Sequence, residues 1–336
     1  MNRNMKQWVA DTVAAPRKKA MPVLSFPAVQ LMGVTVRDLI SSSDLQARGM
    51  KLVAENTDAA ASVSLMDLSV EAECFGSQIR VSDHEVPTVI GAVVTDEEEA
   101  EALEVPPIGS GRTGIYIDAI RQAAEQITDR PVLAGVIGPF SLAGRLMGVS
   151  EALVLCYEEP DMVHAVLEKA TAFLIDYCKA YKAVGANGVV MAEPLTGMLS
   201  PSLAEEFSHP YVRRIVETVQ EDSFAVVYHN CGDNVGRMAE EIFSLGAMAY
   251  HFGNAVHLAD LVARAPADVL VMGNVDPAGQ LCNGTPESVR EATLTVMKEC
   301  AAHPNFVISS GCDIPPVTPW ANIGAFFDAV SEFYSE

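Results

Sequence analysis

The sequence has no apolar run long enough to cross a bilayer: its longest, such as "PVLAGVIGPF" and "DVLVMGNV", extend for about ten residues, half of the roughly 20 that a helical span needs. The N-terminal stretch "MNRNMKQWVADTVAAPRKKAMPV" carries basic residues but no apolar block ending in a small-residue cleavage site, so it does not read as an export signal. A cytoplasmic protein with no membrane partner is expected. Basic residues are scarce, with 22 Lys and Arg against 44 Asp and Glu and a formal charge of −22. Such a balance argues against nucleic acid, whose phosphates demand basic surface, and against anionic lipid. It does not speak against a small-molecule pocket, where two or three arginines override the global sign. There is also no repeat at a solenoid period and no low-complexity linker.

Seven cysteines (74, 156, 178, 231, 282, 300 and 312) form an odd set spread along an unexported chain, which favours reduced thiols over a disulfide framework. Cys156, Cys178 and Cys300 are expected in helical stretches as packing residues, and Cys74 and Cys282 are expected in loops. A cysteine outside these roles is a candidate for metal binding or catalysis.

What the sequence does have is apolar content, 49% in 336 residues, enough for an extensive core. Short Val-, Ile-, Leu- and Met-rich runs recur at 21–29, 61–69, 131–139, 187–194, 224–230, 247–253, 268–274 and 306–312. Helical stretches separate them, among them 200–220 and 285–302, each opened by a Ser or Thr cap and an early proline. Eight strands alternating with helices predict an α/β chain folded as a (β/α)8 TIM barrel, one domain over 1–336. Residues 1–20 would form a helical N-terminal extension. Residues 77–110, with hairpin strands and a short acidic helix, would form an insertion after the second strand.

In a parallel barrel the C-terminal strand ends carry the site. Here those ends are polar: Asp67 and Glu71, Glu193, His229 and Cys231, His251, Asn274 and Asp276, then Ser309, Ser310, Cys312 and Asp313. Residues i and i+2 of a strand share a face, so in "VVYHNCGD" His229 and Cys231 can both face the axis while Asn230 points away. With Cys312 as a third donor the set suits a zinc that keeps its fourth position open, as catalytic zinc does. Spacing alone leaves a second reading, a half-buried histidine with two inert core thiols.

The chain resembles the uroporphyrinogen decarboxylase superfamily, and within it the methylcobamide:coenzyme M methyltransferases. The resemblance rests on "DLSVEAECFG", "EVPTVIG", "GPFSLAGRLMG", "AEPLTGMLSP", "YHNCGD", "GNVDP" and "SSGCDIPPVTPWANI", which span nearly the whole chain in order. It implies zinc on His229, Cys231 and Cys312. It also implies a corrinoid (methylcobamide) co-substrate carried by a partner protein and a small thiol such as coenzyme M as acceptor. Glu71 and Glu193 become candidates for a resting fourth ligand, a proton acceptor or an anchor for a zinc ligand, with capping or ion pairing as the alternative. Asn274, Asp276 and His251 become candidates for the pocket that receives the cofactor, and Arg112 and Arg145 for holding an anionic tail. The decarboxylase branch fits less well, because the first strand leads into "FPAVQLMGVTVRDL" with no arginine before Arg37 to hold porphyrinogen carboxylates. Acceptor, direction of transfer and oligomeric state stay open at this level.

Overall fold

The computed structural model describes residues 3–335. Its strands are β1 (Ser62–Val63), β2 (Gln78–Arg80), β3 (Thr88–Ile90), β4 (Val132–Ile137), β5 (Gly188–Ala192), β6 (Ala225–Asn230), β7 (Ala249–Phe252), β8 (Leu270–Val275) and β9 (Phe306–Ser310). β4, β5, β6, β8 and β9 are buried at every position, as strands covered on both faces must be, and this explains their nearly continuous apolar sequences. Seven strands form one parallel sheet in the order β1-β4-β5-β6-β7-β8-β9, with helices between them. The result is a TIM-barrel-like α/β fold with a curled sheet.

Seven strands form where eight are expected, and the difference lies at 21–29. This segment runs extended and then enters the helix Ala28–Met32. Pro22 and Pro27 supply no amide protons, so the segment cannot carry a regular ladder. It still occupies the seam between the sheet edges: Met21 N donates to Ile308 O in β9 at 3.0 Å, and Ala60 N, just before β1, donates to Ala20 O at 2.7 Å. The expected strand at 61–69 is likewise reduced to β1, because the chain turns at Asp67 and starts the helix Val70–Cys74. The expected helix at 200–220 is two, Pro201–Phe207 and His209–Val219, broken at Ser208 ahead of Pro210.

Strand alternation divides the apolar residues into two cores. Val63, Leu133, Val190, Val227, Leu270, Met272 and Val307 fill the inside of the curled sheet. Val136, Met191, Val226, Tyr228, Phe252 and Ile308 pack outward against the helices. The helix Met5–Ala14 adds Met5 and Val9 to the inner core, and Met5 N donates to Asp222 O, near the N-terminal end of β6, at 2.6 Å. Burying these two side chains contributes roughly 1.5–3 kcal/mol each. Within 77–110, β2 and β3 pair antiparallel and the helix Glu97–Ala102 follows.

Candidate metal centre

The inward face of β6 reads Ala225, Val227 and His229, and the same parity carries one residue further to Cys231. Two flanking backbone bonds hold this strand end: Glu193 N donates to His229 O at 2.8 Å, and Gly253 N donates to Asn230 O at 3.1 Å. Gly253 has to be glycine, since a Cβ there would come within 2.6 Å of the Cys231 Cα and Cβ atoms. Asn230, on the opposite face, is fully buried and accepts from Gly232 N at 2.9 Å, which shapes the turn beyond Cys231. Cys312 arrives from the loop after β9.

The donor atoms of His229, Cys231 and Cys312 lie within 4.8 Å of one another, and His229 Nε2 is 3.5 Å from Cys312 Sγ. Bonds of about 2.1 Å to nitrogen and 2.3 Å to sulfur, meeting at a tetrahedral angle, would separate N and S by about 3.6 Å. The donor set therefore matches zinc in both chemistry and spacing. A hydrogen bond from the Cys312 thiol holds Cys231 well below the ordinary thiol range. Cys312, which keeps the shared proton, is pushed up. The shift favours a thiolate at Cys231, the form in which cysteine would ligate a metal. Among the described residues no other group of three His, Cys, Asp or Glu side chains could hold a metal ion.

The other side chains marked out by the sequence take varied places. His251 lies beneath the cluster: its Nδ1 is 2.6 Å from His229 Nδ1, and its Nε2 is 2.8 Å from Ser309 Oγ. Burial pushes its pKa well below the usual histidine value, so it stays neutral. Glu193 follows Val189 and Met191 on the outward face of β5 and turns to the helix Pro139–Met147, where its Oε1 accepts from Ser141 N at 2.6 Å and Ser141 Oγ at 2.8 Å. Gly138 makes room for it, because a Cβ there would lie 1.7 Å from Glu193 Oε2. Glu71 accepts from Ile137 N at 3.0 Å. Burial raises both carboxyls to about 7. Neither belongs to the His229–Cys231–Cys312 cluster. Asn274 donates to Gly253 O and Val256 O, both at 2.9 Å, and Asp276 accepts from Ala278 N and Gly279 N, so the two brace the loops after β7 and β8. Arg112 is committed to Asp67, Glu73 and Ser69.

A cavity of about 710 Å³ opens over the three donor atoms. His229, Cys231 and Cys312 line it, apolar side chains such as Met66, Leu68, Val149 and Leu195 make most of its wall, and Arg145 is its only arginine or lysine. Glu71, Glu193, Asn274 and Asp276 do not line it. Asp313, one of the polar strand-end residues picked out in the sequence, also lines it, whereas the hairpin residues 84–89 were not expected in its wall. The hairpin gave no signal, because its loop meets the mouth only through tertiary packing.

The family profile for uroporphyrinogen decarboxylase (URO-D) matches residues 8–333. The chain belongs to the uroporphyrinogen decarboxylase family. A methylcobamide:CoM methyltransferase, MtbA of Methanosarcina acetivorans, is 28% identical over 271 residues, 80% of this chain and 78% of that one. A uroporphyrinogen decarboxylase of Coxiella burnetii is also 28% identical, over 282 residues, 81% of this chain and 77% of that one. A solved structure of a methyltransferase from Methanosarcina mazei has the same fold, with a TM-score of 0.86 at 22% identity and 98% of each chain covered. The family thus includes relatives named as methyltransferases and as decarboxylases at equal distance, and function has to be argued from the site.

Proposed function

We propose that this member of the family is a zinc-dependent methyltransferase, moving a methyl group from a methylated corrinoid on a partner protein to a small thiol such as coenzyme M. The observation that carries the reading is the convergence of one imidazole and two thiols, 3.5 Å apart at His229 Nε2 and Cys312 Sγ, at a cavity with room for a substrate. Zinc bound by His229, Cys231 and Cys312 would keep a substrate thiol deprotonated at neutral pH, with its charge nearly cancelled by two thiolates so that the substrate sulfur stays electron-rich.

The chain's own residues do the rest. β6 and the loop after β9 fix the three donors at the inner end of the cavity, and the apolar wall excludes water from the attacking sulfur. That sulfur attacks the methyl carbon. The S–C bond forms as the cobalt–carbon bond breaks, and both electrons of the broken bond leave with cobalt. Among the described residues Arg145 donates to Ser141 O alone, at 3.3 Å, which leaves guanidinium N–H groups for an anionic tail on the thiol. Val149 and Val317 stand exposed at the cavity's rim and give the corrinoid protein an apolar landing.

A decarboxylase acting on a porphyrinogen with eight carboxylates finds little support in a cavity with one arginine and no lysine. The discriminating assay follows loss of the methylcobalamin absorbance when the purified protein is mixed with candidate thiols. Thiol-dependent demethylation, abolished in Cys312→Ala, is expected. No demethylation with any thiol, from a protein loaded with zinc, overturns the assignment.

A further inference from the structure

His229, His251, Ser309 and Met21 form a linear chain of contacts. Ser309 Oγ lies 2.7 Å from Met21 O, His251 Nε2 lies 2.8 Å from Ser309 Oγ, and His229 Nδ1 lies 2.6 Å from His251 Nδ1. His229 Nε2 then faces Cys312 Sγ at 3.5 Å. A neutral imidazole has one donor and one acceptor nitrogen, so such a chain has a direction, and one member that can act only as donor or only as acceptor sets it throughout.

The Met21 carbonyl is that member, because it can only accept. The Ser309 hydroxyl must donate to it, which leaves Ser309 Oγ to accept from His251 Nε2–H. His251 Nδ1 is then bare and must accept from His229 Nδ1–H. His229 Nε2 keeps its lone pair, aimed at Cys312. The His251 carbonyl, 3.2 Å from His229 Nδ1, is a second acceptor of the same proton and points the same way. Met21 precedes Pro22, which holds it in the extended region and fixes the carbonyl that starts the chain.

We infer that His251 and Ser309 are positioning residues: from the Met21 carbonyl, they hold His229 in the tautomer whose Nε2 can bind zinc. This rests on the metal site proposed above, but the tautomer is a property of the metal-free protein and is tested without metal. Orienting partners of this kind typically change metal affinity 10- to 100-fold.

The experiment pairs ¹⁵N NMR of the imidazoles in metal-free protein with chelator competition for zinc, in the wild type, Ser309→Ala, His251→Leu and His251→Asn. The expected wild-type spectrum has His229 protonated at Nδ1 alone. In Ser309→Ala, His251 is free to carry its proton on Nδ1, so His229 should show mixed protonation and zinc affinity should fall about tenfold. His251→Leu should weaken zinc by a similar factor, with the backbone carbonyl as residual acceptor. His251→Asn should rescue, because an amide oxygen replaces the imidazole acceptor. Wild-type tautomer and affinity in Ser309→Ala would overturn the inference. A wild type with the ordered tautomer but no zinc binding would uphold the relay and reject the metal site.

Discussion

Glu193 sits at the boundary between site and scaffold. Its carboxylate takes the place of a missing side-chain cap on the helix Pro139–Met147, whose N-cap is Gly138, and it satisfies the Ser141 amide. Its pKa of about 7, against 4.5 in an unfolded chain, comes from burial. A carboxyl raised on folding stabilises fully below about pH 4.5, and that stability is lost as pH rises through 7, which amounts to about 3 kcal/mol. Glu193→Gln keeps the Ser141 acceptor and removes the titration. Urea melts at pH 5 and pH 8 should therefore show the variant gaining stability relative to wild type at the higher pH. An unchanged difference between the two pH values contradicts the assignment. Gly138→Ala should destabilise by 2 kcal/mol or more, roughly the cost of overpacking a filled core, and a melt at one pH suffices to check it. At this scale the sequence was informative where parity was obeyed. Ala225, Val227, His229 and Cys231 share one face, and so do Val189, Met191 and Glu193, but on β5 that face is the outward one. The polar strand end there marked a helix cap. No pattern within β6, β7 or β9 announces that His229, His251 and Ser309 form a chain, since strand registry between distant segments brings them together.

At the scale of elements, the strands that hold the site, β6 and β9, are among those that begin as apolar runs in the sequence, and both form where expected. The segment at 21–29 fails as a strand for a reason visible in it, the prolines at 22 and 27, yet it still bridges the seam through Met21 and Ala20. The N-terminal helix matters to the same assembly, because Met5 is fully buried in the inner core beside Val227 and Leu270. Met5→Ala should cost about 2–5 kcal/mol in denaturant unfolding, as other large-to-small core changes do. A loss below about 0.5 kcal/mol, the range of surface substitutions, would mean that the helix does not pack there in solution.

Across the whole molecule, a net charge of −22 coexists with a cavity whose one arginine is Arg145. Glu85 and Asp313 also line the cavity, so we propose that an anion is held by the Arg145 guanidinium itself rather than by the net charge of the wall. Arg145→Gln should raise KM for an anionic thiol about tenfold or more while leaving zinc content and turnover of an uncharged thiol unchanged. Equal effects on charged and uncharged thiols would assign Arg145 to folding instead. The architecture was legible as alternating strands and helices, and the three donors as polar residues at strand ends. Cavity volume and the hairpin wall are set by tertiary packing, which no local pattern encodes. Metal analysis of the protein purified under reducing conditions decides whether His229, Cys231 and Cys312 hold zinc. Close to one zinc per chain, lost in Cys312→Ala, is expected; less than about 0.2 per wild-type chain overturns the assignment.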